Sequence, residues 1–196
     1  LALRGDPMKN ESSFVPTEGG NAYALNLIEQ INEMNNGQYL YEETKNSPSN
    51  FCIGTAGYPE KHFEAMNLST DMKHLKKKVD AGAEFIVTQL FYDNEKFFDF
   101  VKKCREIGIK VPIIPGIKPI TNLRHLSFIP KFFHVNFPES FSSELEKCKT
   151  DEEIKRVGIE WTTAQCKELV KADIPVIHFY TTVSYTHLRA HETQSD

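Results

Sequence analysis

Runs of apolar, β-branched residues alternate with helical spacings along this chain, and the alternation predicts its elements. Leu1-Ala2-Leu3 reads as a strand that stops at Arg4-Gly5-Asp6. A loop rich in Ser, Pro and Gly follows to Gly20, broken by Pro7 and Pro16. From Ala22 to Asn36 the apolar positions are 24, 25, 28, 31 and 34, the spacing of an amphipathic helix, and Gly37 stops it. Phe51-Cys52-Ile53 opens a second strand, which ends at Ala56-Gly57-Tyr58-Pro59. Asp71 is placed to cap a helix with Met72, Leu75 and Val79 on its inner face.

The stretch KKKVDAGAEFIVTQLFYD, from Lys76 to Asp93, says most. A charged helix ends at Ala81-Gly82-Ala83, and Phe85-Ile86-Val87 follows at once, too short and too β-branched for a helix. It reads as a strand over 85–91 buried on both faces. Thr88 and Gln89 stand where the apolar run ends. A buried amide costs free energy unless something hydrogen-bonds to it, and α/β proteins present groups to ligands from the C-terminal ends of their strands. A helix from Glu95 to Ile107 follows, with Phe97, Val101 and Cys104 inward and Gly108 closing it. Val111 to Ile114 is a fourth strand that ends in PGIKP, and a shorter helix starts near Asn122. Residues 132–149 show no period beyond a short helix after Pro138. Thr150-Asp151-Glu152-Glu153 is a capping box, opening a helix with Ile154, Val157, Trp161 and Ala164 on one face. Val176 to Tyr180 is the last strand.

Strands and helices in alternation imply a parallel sheet with helices outside it. In a (β/α)8 TIM barrel the strand ends share one rim, so Asp6, Tyr58, Gln89, Lys118 and Tyr180 would converge there from five strands. A doubly wound sheet is the other architecture this pattern allows, although no G-x-G-x-x-G or P-loop follows any strand. Five strands do not close a barrel, and an open piece leaves two bare edges. The expectation is therefore an incomplete (β/α)8 barrel, about strands 4 to 8, over residues 1–181. Residues 182–196, TVSYTHLRAHETQSD, have no clear period and are expected to be a disordered or foreign tail.

Composition narrows the partners. Lys and Arg number 23 against 27 Asp and Glu, a net charge of −4, which argues against nucleic acid or an anionic membrane surface. No apolar stretch has the length of a membrane span. Cys52, Cys104, Cys148 and Cys166 lie far apart with no C-x-x-C pair, as expected of reduced thiols in a cytoplasmic protein. His187 and His191 are spaced i, i+4 but lack an H-E-x-x-H context, so no metal site is expected.

With the strand ends in place, the chain resembles the methylenetetrahydrofolate reductases. The resemblance rests on ALRGDP (Ala2 to Pro7), Tyr23-Ala24, AGYPEKHFEA (Ala56 to Ala65), LKKKVDAGAEFIVTQLFYD (Leu75 to Asp93), IIPGIKPI (Ile113 to Ile120) and HFYT (His178 to Thr181). These occur in the family's order, and AGYP is the wording of its eukaryotic branch. The resemblance implies a (β/α)8 barrel with FAD at its C-terminal rim and an oxidoreductase of one-carbon metabolism and methionine biosynthesis, acting on CH–NH donors. NADPH or NADH would reduce the flavin, which passes the hydride to methylenetetrahydrofolate and yields methyltetrahydrofolate. A homo-oligomer is compatible with this.

The resemblance also implies roles. Arg4, Gly5 and Asp6 would form a flavin loop, with the Asp6 carboxylate catalytic beside a developing cation. Tyr23 and Ala24 would lie along the FAD adenosine. Tyr58, His62 and Ala65 would line the flavin, with Gly57 letting backbone approach it. Asp71, His74, Lys77 and Lys78 would face the FAD ribose and diphosphate. Some relatives have Arg where Lys77 stands, so the charge is kept and bidentate contact is lost. Gln89 would hydrogen-bond the folate pterin, an amide matching its mixed donor and acceptor edge, and Tyr180 would be an aromatic wall of the substrate site. Without the resemblance, residues 73–78 read as a solvated helix face and Gln89 as an amide satisfied by nearby backbone.

Two departures bear on activity. The family continues after HFYT to an Arg that pairs with the folate glutamate, whereas Thr182-Val183-Ser184-Tyr185 follows here. The family's general acid, a Glu on the first barrel strand, has no counterpart in this chain. The piece alone is expected to be inactive. The alternatives are a non-catalytic FAD- or folate-binding relative with a regulatory role, or a barrel lyase or isomerase. The latter's Gly-rich phosphate loop is missing from residues 115–122 and after 180. Because an open barrel has no closed core, residues 1–196 in isolation should melt over a broad range in a thermal scan. A single sharp transition of a soluble monomer would overturn that expectation.

Overall fold

The computed structural model describes residues 1–5, 7, 13–40 and 47–181. In chain order these form α1 (Ala24–Asn35), β1 (Gly54–Gly57), α2 (Leu68–Asp80), β2 (Phe85–Leu90), α3 (Asn94–Glu106), β3 (Ile113–Ile117), α4 (Arg124–Phe133), α5 (Glu139–Leu145), α6 (Asp151–Lys171) and β4 (His178–Phe179). The strands make one parallel sheet in the order β1-β2-β3-β4. Spatial order therefore follows chain order, with none of the reversal that defines a doubly wound sheet. Among the described residues no helix is long and apolar enough to cross a membrane.

The strand expected over Leu1–Leu3 is reduced to one pairing. Ala2 bridges Thr55 in parallel and its N–H donates to the Gly54 carbonyl at 2.8 Å, while Leu1 and Leu3 are exposed. β3 starts at Ile113 rather than Val111, because Pro112 has no N–H to pair, and it runs on through Ile117. β4 holds two residues instead of Val176 to Tyr180. In a parallel strand, alternate residues address opposite neighbours. The Ile117 carbonyl accepts from Tyr180 N–H at 2.8 Å, so Pro115, two residues earlier, faces the same side without a donor. β4 accordingly begins opposite Gly116.

Helix caps follow local chemistry with one change. Asn67, not Asp71, caps α2: its backbone is extended and its side chain accepts from Thr70 N–H at 2.9 Å. Asp71 lies one turn inside the helix, where its carboxylate takes the backbone N–H of His62 at 2.8 Å. Asp93 caps α3, and Gly108 follows that helix with φ +81°, a left-handed conformation that favours glycine. The Thr150–Glu153 capping box opens α6 as its sequence requires.

Residues 132–149 are more regular than their sequence suggests. α4 runs to Phe133 despite Pro130 and stops at His134 in the left-handed region, and α5 follows Pro138. Val135, Phe141 and Leu145 from this region pack with Leu90, Tyr92, Ile120, Ile129 and Ile154. A second core joins Met72 and Leu75 of α2 to Ile86, Phe100, Cys104 and Ile109.

α6 buries Ile154, Gly158, Thr162, Gln165 and Leu169, with Val157 and Trp161 half-buried beside them. Ala164, expected inward, is exposed. Gln165 takes an inner position because its amide caps the Phe91 carbonyl at 3.0 Å, a demand that apolar periodicity does not register. Gly158 lets α6 lie against the backbone of Ile120, whose carbonyl a Cβ at 158 would strike. Alanine favours a helix interior by about 1 kcal/mol over glycine, but overpacking against backbone costs ~1–3 kcal/mol. Gly158→Ala in the complete natural polypeptide should therefore lower the thermal midpoint. A higher midpoint would mean that α6 shifts freely off Ile120.

Candidate functional site

β1 ends at Gly57, and the loop beyond it folds back toward α2. A Cβ on Gly57 would come within 2.8 Å of the Ile86 side chain and of the Phe100 ring. Gly57 thus also serves packing behind the sheet, a role that its place in the sequence does not signal. Beyond it the Tyr58 ring meets His62 edge-on, with centroids 4.6 Å apart. The His62 backbone is fixed by Asp71, and His62 Nδ1 accepts from Glu64 N–H at 3.2 Å. Glu64 in turn pairs with Arg4 at 2.7 Å, and the Arg4 guanidinium lies over the Phe14 ring. Lys78 reaches from α2 to donate to the Ala56 carbonyl at 2.7 Å.

These groups sense one another. Hydrogen bonding to Glu64 raises the Arg4 pKa, with Tyr23 and Tyr58 also contributing. The same pair holds the Glu64 carboxyl below its usual range. Burial lowers the His62 pKa; Glu64 and Asp71 oppose that, while Arg4 and Lys78 reinforce it. Burial also pushes Lys78 down to about 8, against the pull of Asp71. Arg4, Tyr23, Tyr58, His62, Asp71 and Lys78, far apart in the chain, are therefore gathered near the C-terminal end of β1.

Other expected residues stand apart. Ala24 is half-buried at the start of α1, and Gly5 is exposed. Asp6 lies outside the described residues. Half-buried Ala65 offers its carbonyl to Lys61 Nζ at 2.6 Å. His74 and Lys77 are exposed on α2, and their side chains make no hydrogen bond or ion pair with a described residue. Lys118 is placed instead near His125, whose pKa it helps lower after burial.

A second group forms where β2, β3 and β4 meet. The ladder between β2 and β3 slips between Val87 and Leu90, leaving an extra residue on β2. Gly116 N–H donates there to the Thr88 hydroxyl at 2.9 Å. The Thr88 carbonyl accepts from the Tyr180 hydroxyl at 2.9 Å, and burial raises the Tyr180 pKa. A Cβ on Gly116 would strike that carbonyl and come within 2.6 Å of the Tyr180 ring. Half-buried Gln89 follows at once. Its amide oxygen accepts from Leu90 N–H at 2.9 Å, and its amide nitrogen donates to no described residue. Behind this end, Trp161 donates to the Tyr92 carbonyl at 3.0 Å and Gln165 to that of Phe91.

Reading the chain alone missed several participants. Lys61 has φ 107° and donates to the carbonyls of His62, Phe63 and Ala65, so the loop is wrapped around its own ammonium. Glu60 accepts from the backbone and side-chain amides of Asn136, and Phe63 stacks on His134 with centroids 5.0 Å apart. Nothing local in the sequence signals those long-range pairs. Thr88 was visible as a polar residue ending an apolar run, but its partner was not.

The donor set suits an anion. Lys78 is a desolvated ammonium with one hydrogen bond among the described residues, and His74 and Lys77 lie on the same helix.

A family model described as methylenetetrahydrofolate reductase matches residues 1–188. The chain is 43% identical over 191 residues to "Methylenetetrahydrofolate reductase (NADH) 1" of Arabidopsis thaliana, covering 92% of the chain and 30% of that protein. "Methylenetetrahydrofolate reductase 2" of Saccharomyces cerevisiae is 38% identical, over 92% of the chain and 29% of that protein. "Probable methylenetetrahydrofolate reductase (NADPH)" of Caenorhabditis elegans is 37% identical, over 92% of the chain and 25% of that protein. The chain thus spans less than a third of the length of these relatives.

The lowered Lys78 pKa has a stability consequence. Between about 8 and the ordinary 10.5 the unfolded chain binds the proton that the folded chain has released. Folded stability should therefore rise with pH across that window, by up to about 1.4 kcal/mol per pH unit. Denaturant unfolding of the complete natural polypeptide should show this rise, and Lys78→Met should remove it. Equal slopes in the two proteins would place the Lys78 ammonium in solvent.

Proposed function

The chain belongs to the methylenetetrahydrofolate reductase family, and we propose that it forms part of the catalytic barrel of such an enzyme. The reaction is reduction of methylenetetrahydrofolate to methyltetrahydrofolate, with NADH or NADPH as hydride donor and FAD as cofactor. The sequential parallel sheet supports an arc of a (β/α)8 barrel, about strands 4 to 8, because such a barrel orders its strands this way. Four free cysteines suit a reducing cytoplasm.

Bound FAD would accept a hydride from the nicotinamide and deliver it to the folate. The residues assigned to hold it are the group near the end of β1, His62 among them, together with Gly5, Ala24, Ala65, His74 and Lys77, which stand apart from that group in this structure. Lys78, with Lys77 and His74, neutralises the diphosphate. Asp71 holds the His62 backbone and favours the charged form of Lys78. Arg4, Gly5, Tyr23, Ala24, Tyr58 and Ala65 line the rest. Asp6 is assigned the carboxylate beside the cationic one-carbon unit, where a fixed negative charge stabilises the transition state.

The observation that carries the folate assignment is Gln89. Its amide nitrogen has no partner among the described residues at a strand's C-terminal end, next to a residue whose carbonyl holds the Tyr180 hydroxyl. An amide so placed can donate to a pterin edge while its oxygen accepts. Tyr180 would supply an aromatic surface beside it.

The complete natural polypeptide should purify yellow and oxidise NAD(P)H only when methylenetetrahydrofolate or an artificial acceptor is present. Losing a hydrogen bond of about 1–2 kcal/mol predicts that Gln89→Ala raises the folate KM about tenfold. Its turnover with NAD(P)H and menadione should stay unchanged. A folded but colourless protein would sink the flavin assignment, and a normal folate KM in Gln89→Ala would sink the folate one.

A further inference from the structure

The turn that follows β3 carries a conflict of hydrogen-bond donors. The Asn122 amide oxygen accepts from His125 N–H at 3.1 Å, which leaves the amide nitrogen 3.2 Å from His125 Nε2. On the other side of the ring, Thr121 N–H points at Nδ1 over 3.2 Å. A neutral imidazole has one nitrogen that accepts and one that donates, so in either tautomer one ring N–H faces another donor. Turning the Asn122 amide over only moves the conflict to His125 N–H. Protonating the ring sets a donor against a donor on both sides.

Positive charge gathers at the same place. Lys118, the residue after β3, is half-buried, and its ammonium makes no hydrogen bond or ion pair with a described residue. It stands close enough to His125 to help lower the ring's pKa, as does Arg124; burial is the largest cause and Asp151 opposes. The Asp151 carboxylate is already engaged, taking Leu123 N–H at 2.7 Å. Lys118 also stands on the rim that carries Gln89 and Tyr180. The Ile117 carbonyl just before it accepts from Tyr180 N–H, and β3 lies between β2 and β4.

We infer that Lys118, Asn122 and His125 form a subsite for an oxyanion carried by a molecule bound at this rim. An oxygen placed between the Asn122 amide and His125 Nε2–H accepts from both, which removes the conflict, and the Lys118 ammonium balances its charge. With Nδ1 accepting from Thr121 N–H, Nε2 is the nitrogen that holds the proton, so the neutral ring can donate as it stands. The source of the oxyanion rests on the proposed function: the folate tail ends in carboxylates, and the nicotinamide dinucleotide carries phosphates. A solvated loop lysine would account for Lys118 but not for two donors set against each other.

The test uses the complete natural polypeptide loaded with flavin and labelled at its histidine rings for NMR, the His125 signal being the one lost in His125→Gln. Inorganic phosphate should raise the ring's apparent pKa by about half a unit or more, because a bound oxyanion favours the charged form. Lys118→Met should lose that response. Saturation with methyltetrahydrofolate or with NADP+ should move the same signal, and the ligand that moves it is the source. Lys118→Met should raise the KM of the corresponding substrate about tenfold, the size of a lost charge-assisted hydrogen bond. Lys118→Arg, which keeps the charge, should stay within about threefold of the parent. Flavin content should be the same in every variant. A His125 signal that phosphate and both ligands leave unmoved overturns the inference, and so do unchanged KM values for both substrates in Lys118→Met. A normal folate KM in Gln89→Ala bears on the folate assignment alone, since the response to inorganic phosphate requires no substrate.

Discussion

The hydrogen bond from Gly116 N–H to the Thr88 hydroxyl is the constraint on which the C-terminal edge of the sheet depends. It stands where three strands meet, beside the extra residue of the β2 ladder and the Thr88 carbonyl that accepts from the Tyr180 hydroxyl. Pro115, lacking an N–H toward β4, delays the last strand until Gly116. A central strand carrying Pro-Gly is a weak ladder in isolation. Side-chain bonds from Thr88, Tyr180, Trp161 and Gln165 supply what the backbone does not.

The end of β1 is governed instead by competition between burial and charge. Lys78 loses water by reaching the Ala56 carbonyl, and Asp71 offsets only part of that loss. Burial also lowers the His62 pKa, with Arg4 and Lys78 adding to it and Glu64 and Asp71 opposing. An anion arriving here would meet a cation already stripped of solvent, and would restore its charged form. The two neighbourhoods thus differ in kind. One gathers charged side chains, the other neutral hydrogen-bonding groups.

Much of this was legible along the chain. The helix boundaries at Gly108 and Thr150 were local: a glycine able to adopt a positive φ, and a side chain able to cap its own turn. The strand at 85–90 followed from β-branched residues between polar ends. Asp71 was misjudged as a cap because two Asx residues compete at that turn, and only Asn67 has the extended backbone a cap requires. α6 was rotated in the reading because Thr162 and Gln165 occupy inner positions on account of hydrogen bonding and close packing, not hydrophobicity. Of the expected site residues, six gathered near β1, and Gln89 and Tyr180 were joined through Thr88. Neither junction could be read from spacing, since Arg4 and Glu64, or Thr88 and Tyr180, are distant in sequence.

The sequence by itself determined which segments are strands and helices, the parallel alternation, and the residue types at each strand end. These depend on periodicity and local backbone preference, which act over a few residues. Only the tertiary structure decided that Lys78 turns inward while Lys77 faces solvent, that Gly57 packs against Ile86 and Phe100, and that the Thr88 hydroxyl accepts from Gly116 N–H. Those outcomes depend on what lies opposite each side chain, and burial and hydrogen-bond satisfaction are settled by neighbours that the chain brings from far away.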